Sequence, residues 1–405
     1  MRYASIATGV LATTVLAVPL AAPAMADSSS PAAVSVVRGE HVRGDVSREL
    51  RGGHEEKRNH DVQLQKALDA IVKAGAPGVV AEVRDADGAW RGHSGRADLK
   101  QNEPTRSDGL FRIGSVTKTF VSTVVLQLVQ EGKMKLDDSV ERHLPGLVPN
   151  GKNVTVRQLL SHRSGLHSYT DTLWGADMHK FYDTRFKTYA PHQLIADSNA
   201  HAPTFGPGTD GHYSNTNYIL LGMLIEKVTG NTAKTEVRER IIEPLGLDRT
   251  SFPEKSTRIN GPHANGYMRL DGATSPYTDV TDYSTSWAWT AGAMISDTRD
   301  LNTFYKALVT GKLLPASLMK EMKATQSLDD GSQYGLGIAK FDNQAFGTAY
   351  GHVGGTPGFA THSFTLADGS RQVTVSINAM ADTDEENKAA GQAVKTLLTL
   401  GSKAE

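Results

Sequence analysis

Three short groups of residues in this 405-residue chain have types and spacings that could do chemistry. The first is Ser115-Val-Thr-Lys118, at the head of the apolar run Thr119–Val129. A serine hydroxyl is a weak nucleophile until a neighbouring base takes its proton. A lysine whose ammonium is desolvated loses its proton and becomes such a base. A spacing of three puts both side chains on one helical face. A helix start adds N–H groups and a positive dipole where an oxyanion would form. The second group is Tyr213-Ser-Asn215, in a Gly/Pro-rich loop that runs into an apolar helix. A tyrosine near an ammonium can give and take protons. Asn215 offers both a donor and an acceptor, to a substrate amide or to Lys118. The third is His352-Val-Gly354-Gly355-Thr356. Its glycines let backbone approach a ligand closely, and an edge strand there would hold a peptide-like substrate by strand addition. His352 would supply a positive charge or a hydrogen bond.

Each group is weak alone. Ser317-Leu-Met-Lys320 repeats the first pattern, where Pro315-Ala-Ser317 predicts a helix start with Lys320 on a solvated face. His93-Ser-Gly95 repeats part of the third, at what is predicted to be a hairpin end. His162 is expected to be a structural loop residue. No Gly-x-Ser-x-Gly elbow singles out a Ser-His-Asp triad, and no metal-ligand spacing is present.

The elements that must position these groups follow from pattern. Leu64, Leu68 and Ile71 have helical spacing, ended by Gly75-Ala-Pro77. Val79–Arg84, a turn at Asp85–Gly88 and Ala89–His93 predict a hairpin. Strands are predicted again at Tyr350–Gly354, Phe359–Leu366 and Gln372–Ile377, and a helix over Glu386–Leu400. Helical patterns fill the middle. Strands at both ends and helices between predict one α/β fold, an antiparallel sheet flanked by helices and interrupted by a mostly helical insertion. The expected division is 61–114 and 286–400 for the sheet domain and 115–285 for the insertion.

Composition narrows the class. The 43 basic and 44 acidic residues argue against a nucleic-acid partner held through phosphates. The absence of cysteine removes disulfides, thiolate metal sites and cysteine nucleophiles. Residues 1–26 have a positive start, an Ala/Val/Leu stretch and the small-residue end Ala24-Met-Ala26, which is the secretory signal pattern. A secreted protein beginning at Asp27 is expected, without a membrane anchor after processing. Residues 27–60 contain no aromatic and a dense mixture of charges, and are expected to form a flexible, solvated leader. His54 and His60 within it are six apart and do not share a helical face.

The order of the three groups, with the segments Leu159–Leu166, Pro244–Leu247 and Ala291–Ser296, resembles the penicillin-recognising serine hydrolases from about Asp61 to Leu400. Within them it is most similar to the branch of class C β-lactamases, related esterases and soluble secreted D-alanyl-D-alanine carboxypeptidases. The resemblance implies the β-lactamase/transpeptidase-like fold and assigns roles. Ser115 is the acyl-accepting nucleophile. Lys118 and Tyr213 share its proton, with the resting base left open between them. Asn215 holds Lys118 and the substrate amide. The N–H groups of Ser115 and Gly355 form the oxyanion hole. His352 takes the place of a lysine, and Trp287 lines the cleft, with Trp289 beside it as an alternative that packing explains equally well. No cofactor or metal is implied. The implied partners are small acyl or peptide substrates ending in D-Ala-D-Ala, and β-lactams, with the protein a monomer.

One departure bears on substrate. The similar carboxypeptidases carry His-Thr-Gly-Thr in the third group, and both hydroxyls help an arginine hold the substrate carboxylate. Here Val353 and Gly355 stand in those places, Lys340 is the nearby cation, and Thr356 is the hydroxyl left to compensate. The leading expectation is a D-Ala-D-Ala carboxypeptidase working through acyl-Ser115. The alternatives are an esterase or D-amino-acid amidase with the same chemistry, and a non-catalytic β-lactam or cell-wall binding module.

Overall fold

The computed structural model describes residues 42–400 except 176 and 255. The signal pattern and the first part of the leader therefore lie outside the described residues. The first element is a helix, α1 (Val42–Lys73), which begins at Val42 rather than at Asp61 as expected from sequence. Its first half carries Arg43, Arg48, Glu49, Arg51, Glu55, Glu56 and Lys57, residue types that favour a helix, together with three glycines that do not. His60, assigned to the solvated leader, is instead part-buried, with Nε2 3.3 Å from the carbonyl of Leu400.

Nine strands form the main sheet. They are β1 (Gly78–Asp85), β2 (Gly88–Asp98), β3 (Glu103–Pro104), β4 (Gln326–Ser327), β5 (Gln333–Tyr334), β6 (Ala339–Asn343), β7 (Gly347–Thr356), β8 (Phe359–Leu366) and β9 (Gln372–Ile377), in the order β3-β2-β1-β9-β8-β7-β6-β5-β4. The two ends of the chain meet at β1 and β9, antiparallel, from Val79 opposite Ile377 to Arg84 opposite Gln372. The fold is the expected α/β one, with the sheet made from both chain ends. Most of the helices lie in the stretch inserted between β3 and β4.

Helices cover both faces, which is why β9 is buried at all six residues. On one face α1 packs Leu64, Leu68 and Ile71 against Val79, Val373 and Val375, and against Val394, Leu397 and Leu398 of α5 (Asp384–Thr399). Each such side chain contributes about 1.5–3 kcal/mol of burial. On the other face lies α4 (Thr298–Val309), whose Phe304 stacks on Phe120 with ring centroids 3.7 Å apart. Phe120 belongs to α2 (Thr117–Gln130), which packs in turn against α3 (Asn215–Thr229). Sequence pattern predicts α2 to be amphipathic. In the structure eleven of its residues are buried, because α3, the short helix Trp289–Gly292 and the sheet enclose it. Ser317 and Lys320 are exposed on the helix Ala316–Lys323, as expected for a solvated copy of the pattern.

Strand β7 crosses the turn before α2 with no side chain between them. A Cβ on Gly354 would sit 2.0 Å from the carbonyl oxygen of Ile113. One on Gly114, at φ +50°, would sit 2.7 Å from the carbonyl oxygen of Gly355. At Gly355 itself an added Cβ meets the mobile tip of Met380 at 3.3 Å. Gly354→Ala is therefore expected to destabilise the fold by about 1–3 kcal/mol, since backbone must move, while Gly355→Ala stays within about 1 kcal/mol of wild type. Urea-unfolding midpoints of the two variants check this, and equal midpoints would contradict the close backbone crossing.

Candidate active site

The site grows from the turn that β7 crosses. The short strand Phe111–Arg112 pairs with Ile295–Ser296 and delivers the chain into a 3-10 turn, Gly114–Val116, before α2 begins. Ser115 stands on that turn, half-buried, and not in the first α-helical turn as its sequence context predicts. Lys118 lies one turn further and is 0% exposed. Its Nζ is 2.9 Å from Ser115 Oγ, 2.8 Å from Asn215 Oδ1 and 2.6 Å from the carbonyl oxygen of Ala291. Among the described residues no carboxylate pairs with it.

That contact set suits a neutral amine. Two of the three partners are carbonyl oxygens, which only accept. They take two N–H bonds, all that a neutral amine has. With the amine neutral, the third direction, toward Ser115 at 2.9 Å, is left to the lone pair, placed to accept the serine proton. Burial without a counter-charge holds the lysine well below its usual range and favours this neutral form.

Tyr213 comes from the loop before α3. Its ring centroid is 4.9 Å from Lys118 Nζ, and the Tyr218 ring lies at 5.4 Å. The Tyr213 hydroxyl is buried, with no aligned hydrogen-bond partner among the described residues. Burial pushes the phenol up, and the neighbouring Ser115 hydroxyl opposes that only in part. Burial thus drives the lysine down and the tyrosine up, so the pair rests uncharged. Passing a proton between them is one coupled step.

Asn215 opens α3. Its Oδ1 accepts from Lys118, and its Nδ2 donates to Thr170 Oγ1 at 3.0 Å. One amide hydrogen remains for a substrate. Gly355 sits against Gly114, so its backbone lies beside Ser115, where the sequence analysis puts the oxyanion hole. Trp287 is half-buried and meets Trp174 edge-on, centroids 4.7 Å apart. Trp289 is buried, its ring reaching Gly222, and is a packing residue.

Two expected substrate contacts do not hold. His352 is 3% exposed, with Nε2 2.8 Å from the Tyr334 hydroxyl and Nδ1 on the carbonyl of Val353. Burial and the nearby lysine pull its pKa down to about 3. It is a neutral, enclosed imidazole and not a positive charge for substrate. Thr356 is likewise 3% exposed, its hydroxyl 2.7 Å from that of Tyr283. Tyr283 in turn lies under the buried Arg112 guanidinium, 4.2 Å away. Lys340 pairs with Asp342 at 2.6 Å.

The structure adds groups that pattern did not reveal. Ala291 contributes a backbone carbonyl, which side-chain type cannot signal. Tyr334 from β5 braces His352, and its ring meets Tyr213 edge-on at 6.1 Å. His162 is fully buried beside Tyr213. The segment Leu159–Leu166 already stood out in the sequence, and it was the one available signal for His162.

Comparison with known proteins gives the family. The Beta-lactamase family matches residues 63–397. Penicillin-binding protein 4* of Bacillus subtilis is 27% identical over 346 residues, covering 82% of this chain and 74% of that protein. The solved D-stereospecific amidohydrolase from a Streptomyces species superposes with a TM-score of 0.76 at 38% identity, over 85% of this chain and 99% of that one. The D-amino acid amidase of Ochrobactrum anthropi SV3, solved with D-phenylalanine, gives 0.74 at 27% identity, over 84% and 99%. The chain belongs to the β-lactamase-like family of serine hydrolases, alongside the penicillin-binding proteins.

Proposed function

We propose that this protein is an exported D-stereospecific amidohydrolase, cleaving the amide or ester bond of D-aminoacyl substrates through an acyl-Ser115 intermediate. The observation that carries the choice within the family is the state of the third group. Thr356 is turned inward to Tyr283 and Lys340 is held by Asp342. Val353 and Gly355 bring no hydroxyl. A buried substrate carboxylate without paired donors is costly. This favours the amidase alternative over the carboxypeptidase expectation. The similarity to the Streptomyces amidohydrolase and the Ochrobactrum amidase supports it. Export rests on the signal pattern of residues 1–26, and with it a mature chain from Asp27.

The reaction follows from the contacts. The neutral Lys118 amine takes the Ser115 proton as Oγ attacks the substrate carbonyl. The developing oxyanion faces the N–H groups of Ser115 and Gly355, which need no reorganisation. Lys118 becomes an ammonium only while that negative charge exists, held by Asn215 Oδ1 and the Ala291 carbonyl. Tyr213, neutral and beside both groups, hands a proton to the departing amine and is replenished from Lys118. Water then attacks the ester carbonyl by the reverse proton route, freeing the acid and Ser115.

Ser115→Ala is expected to lower kcat at least about 10³-fold and to abolish the acyl adduct seen by intact-protein mass spectrometry. Lys118→Arg keeps the donors but cannot lose its proton, so acylation should fall about 10²–10⁴-fold. A stopped-flow acylation rate for this variant near wild type would exclude Lys118 as the base. On substrates, D-phenylalanine amide should exceed its L-enantiomer in kcat/KM by about 10²-fold. D-Ala-D-Ala and its C-terminal amide should be cleaved with equal ease. A preference of about 10-fold or more for the free carboxylate would return the carboxypeptidase reading.

A further inference from the structure

His162 touches the backbone on both sides of Tyr213. Its carbonyl oxygen accepts from the N–H of His212 at 3.0 Å, and its Nδ1 accepts from the N–H of Ser214 at 3.2 Å. A backbone N–H can only donate, so Nδ1 carries no proton and the ring is the Nε2–H tautomer. Asn217 Nδ2 donates to the same Nδ1 at 3.2 Å, and Ser164 Oγ donates to the other end of that amide. The imidazole lies against the Tyr213 ring, centroids 4.1 Å apart and planes at 31°. The Tyr334 and Tyr218 rings close the other sides at 4.8 and 5.3 Å.

Three features go beyond what a loop histidine needs. The residue is 0% exposed, its backbone is held at φ +57°, and its Nε2 is buried with no hydrogen-bond partner among the described residues. Left-handed backbone is strained for histidine, and a buried donor without an acceptor costs about 1–3 kcal/mol. Burial keeps the ring neutral. A site selected only for stability would not retain both costs at one residue.

We infer that His162 is the positioning residue of Tyr213, its Nδ1 holding the peptide group that follows Tyr213 and its ring backing the phenol, so that the phenol stays within reach of Ser115 and Lys118. This rests on the proposed function, in which Tyr213 moves the proton. The cost of losing it should appear in the chemical step, because a phenol displaced by about 1 Å loses about 10²-fold in rate.

A double-mutant cycle on hydrolysis of D-phenylalanine amide tests this. His162→Ala is expected to lower kcat about 30–100-fold and change KM by less than about 3-fold. His162→Asn should recover about 10-fold of that loss, since asparagine tolerates the left-handed backbone and its Oδ1 can accept from Ser214. In a Tyr213→Phe background, either His162 substitution should cost less than about 3-fold more, because its effect passes through the missing hydroxyl. Should the alanine variant not fold, the asparagine variant carries the same cycle. Penalties that multiply in full in the Tyr213→Phe background, or that fall on KM alone, overturn the inference while leaving the role of Tyr213 intact. A Tyr213→Phe enzyme at wild-type rate removes that role and the inference with it, and wild type inert on this amide refutes the substrate proposal first.

Discussion

A buried lysine without a counter-ion is the constraint on which this structure turns. Lys118 is offered only oxygens that bear no formal charge, from Ser115, Asn215 and Ala291. An ammonium fixed there would suffer desolvation with nothing to offset it, so the resting amine is neutral. The surroundings obey the same rule. Tyr213, Tyr218 and Tyr334 are pushed up and His162 and His352 are pushed down, burial being the first cause in each. All five titratable groups therefore rest uncharged. Charge arises in this enclosure only when substrate brings a carbonyl that can carry the opposite sign. The proton inventory and the exclusion of water are one feature viewed from two sides.

Burying those groups is what the architecture achieves. The helix α2 must be covered all round, so the sheet closes one side and α3 with the helix Trp289–Gly292 close the others. Backbone has to come very near the nucleophile, and the glycines at 114 and 354 permit it. Strain collects at the same place. Non-glycine residues with positive φ include His162 and Trp289. Trp289, at φ +34°, stands two residues before the carbonyl that accepts from Lys118. Such conformations persist only where the surrounding packing over-determines them.

The sequence made the acylating pair legible because both members sit on one local element. A spacing of three is enough to bring Ser115 and Lys118 together. The strands at either chain end were legible by alternation and turn residues, and their union in one sheet by the helical stretch between them. Three things were not. The start of α1 was missed because a polar helix leaves no apolar period to detect. The contacts of His352 and Thr356 were misjudged because a strand residue alternates between faces, and the face turned to Tyr334 or Tyr283 depends on side chains far away in sequence. His162 reads as a loop residue in the sequence because its contacts run to residues 212 and 214, some fifty residues later.

In the proposed function, acyl chemistry and leaving-group recognition lie on separable parts of the fold. Lys118, Tyr213 and Asn215 belong to α2 and the head of α3, and they are fixed by burial and by one another. Recognition of the leaving group belongs to β7 and its neighbours, where the exposed side of the strand is set residue by residue. On β7 the hydroxyl of Thr356 points into the Arg112–Tyr283 stack and its glycines offer backbone alone. Backbone N–H and C=O groups bind an amide as well as they bind an acid, and they bind it without a charge to desolvate. On the proposed function, the enclosure that keeps Lys118 neutral suits a neutral leaving group, since a carboxylate would bring a negative charge beside groups all poised to be uncharged.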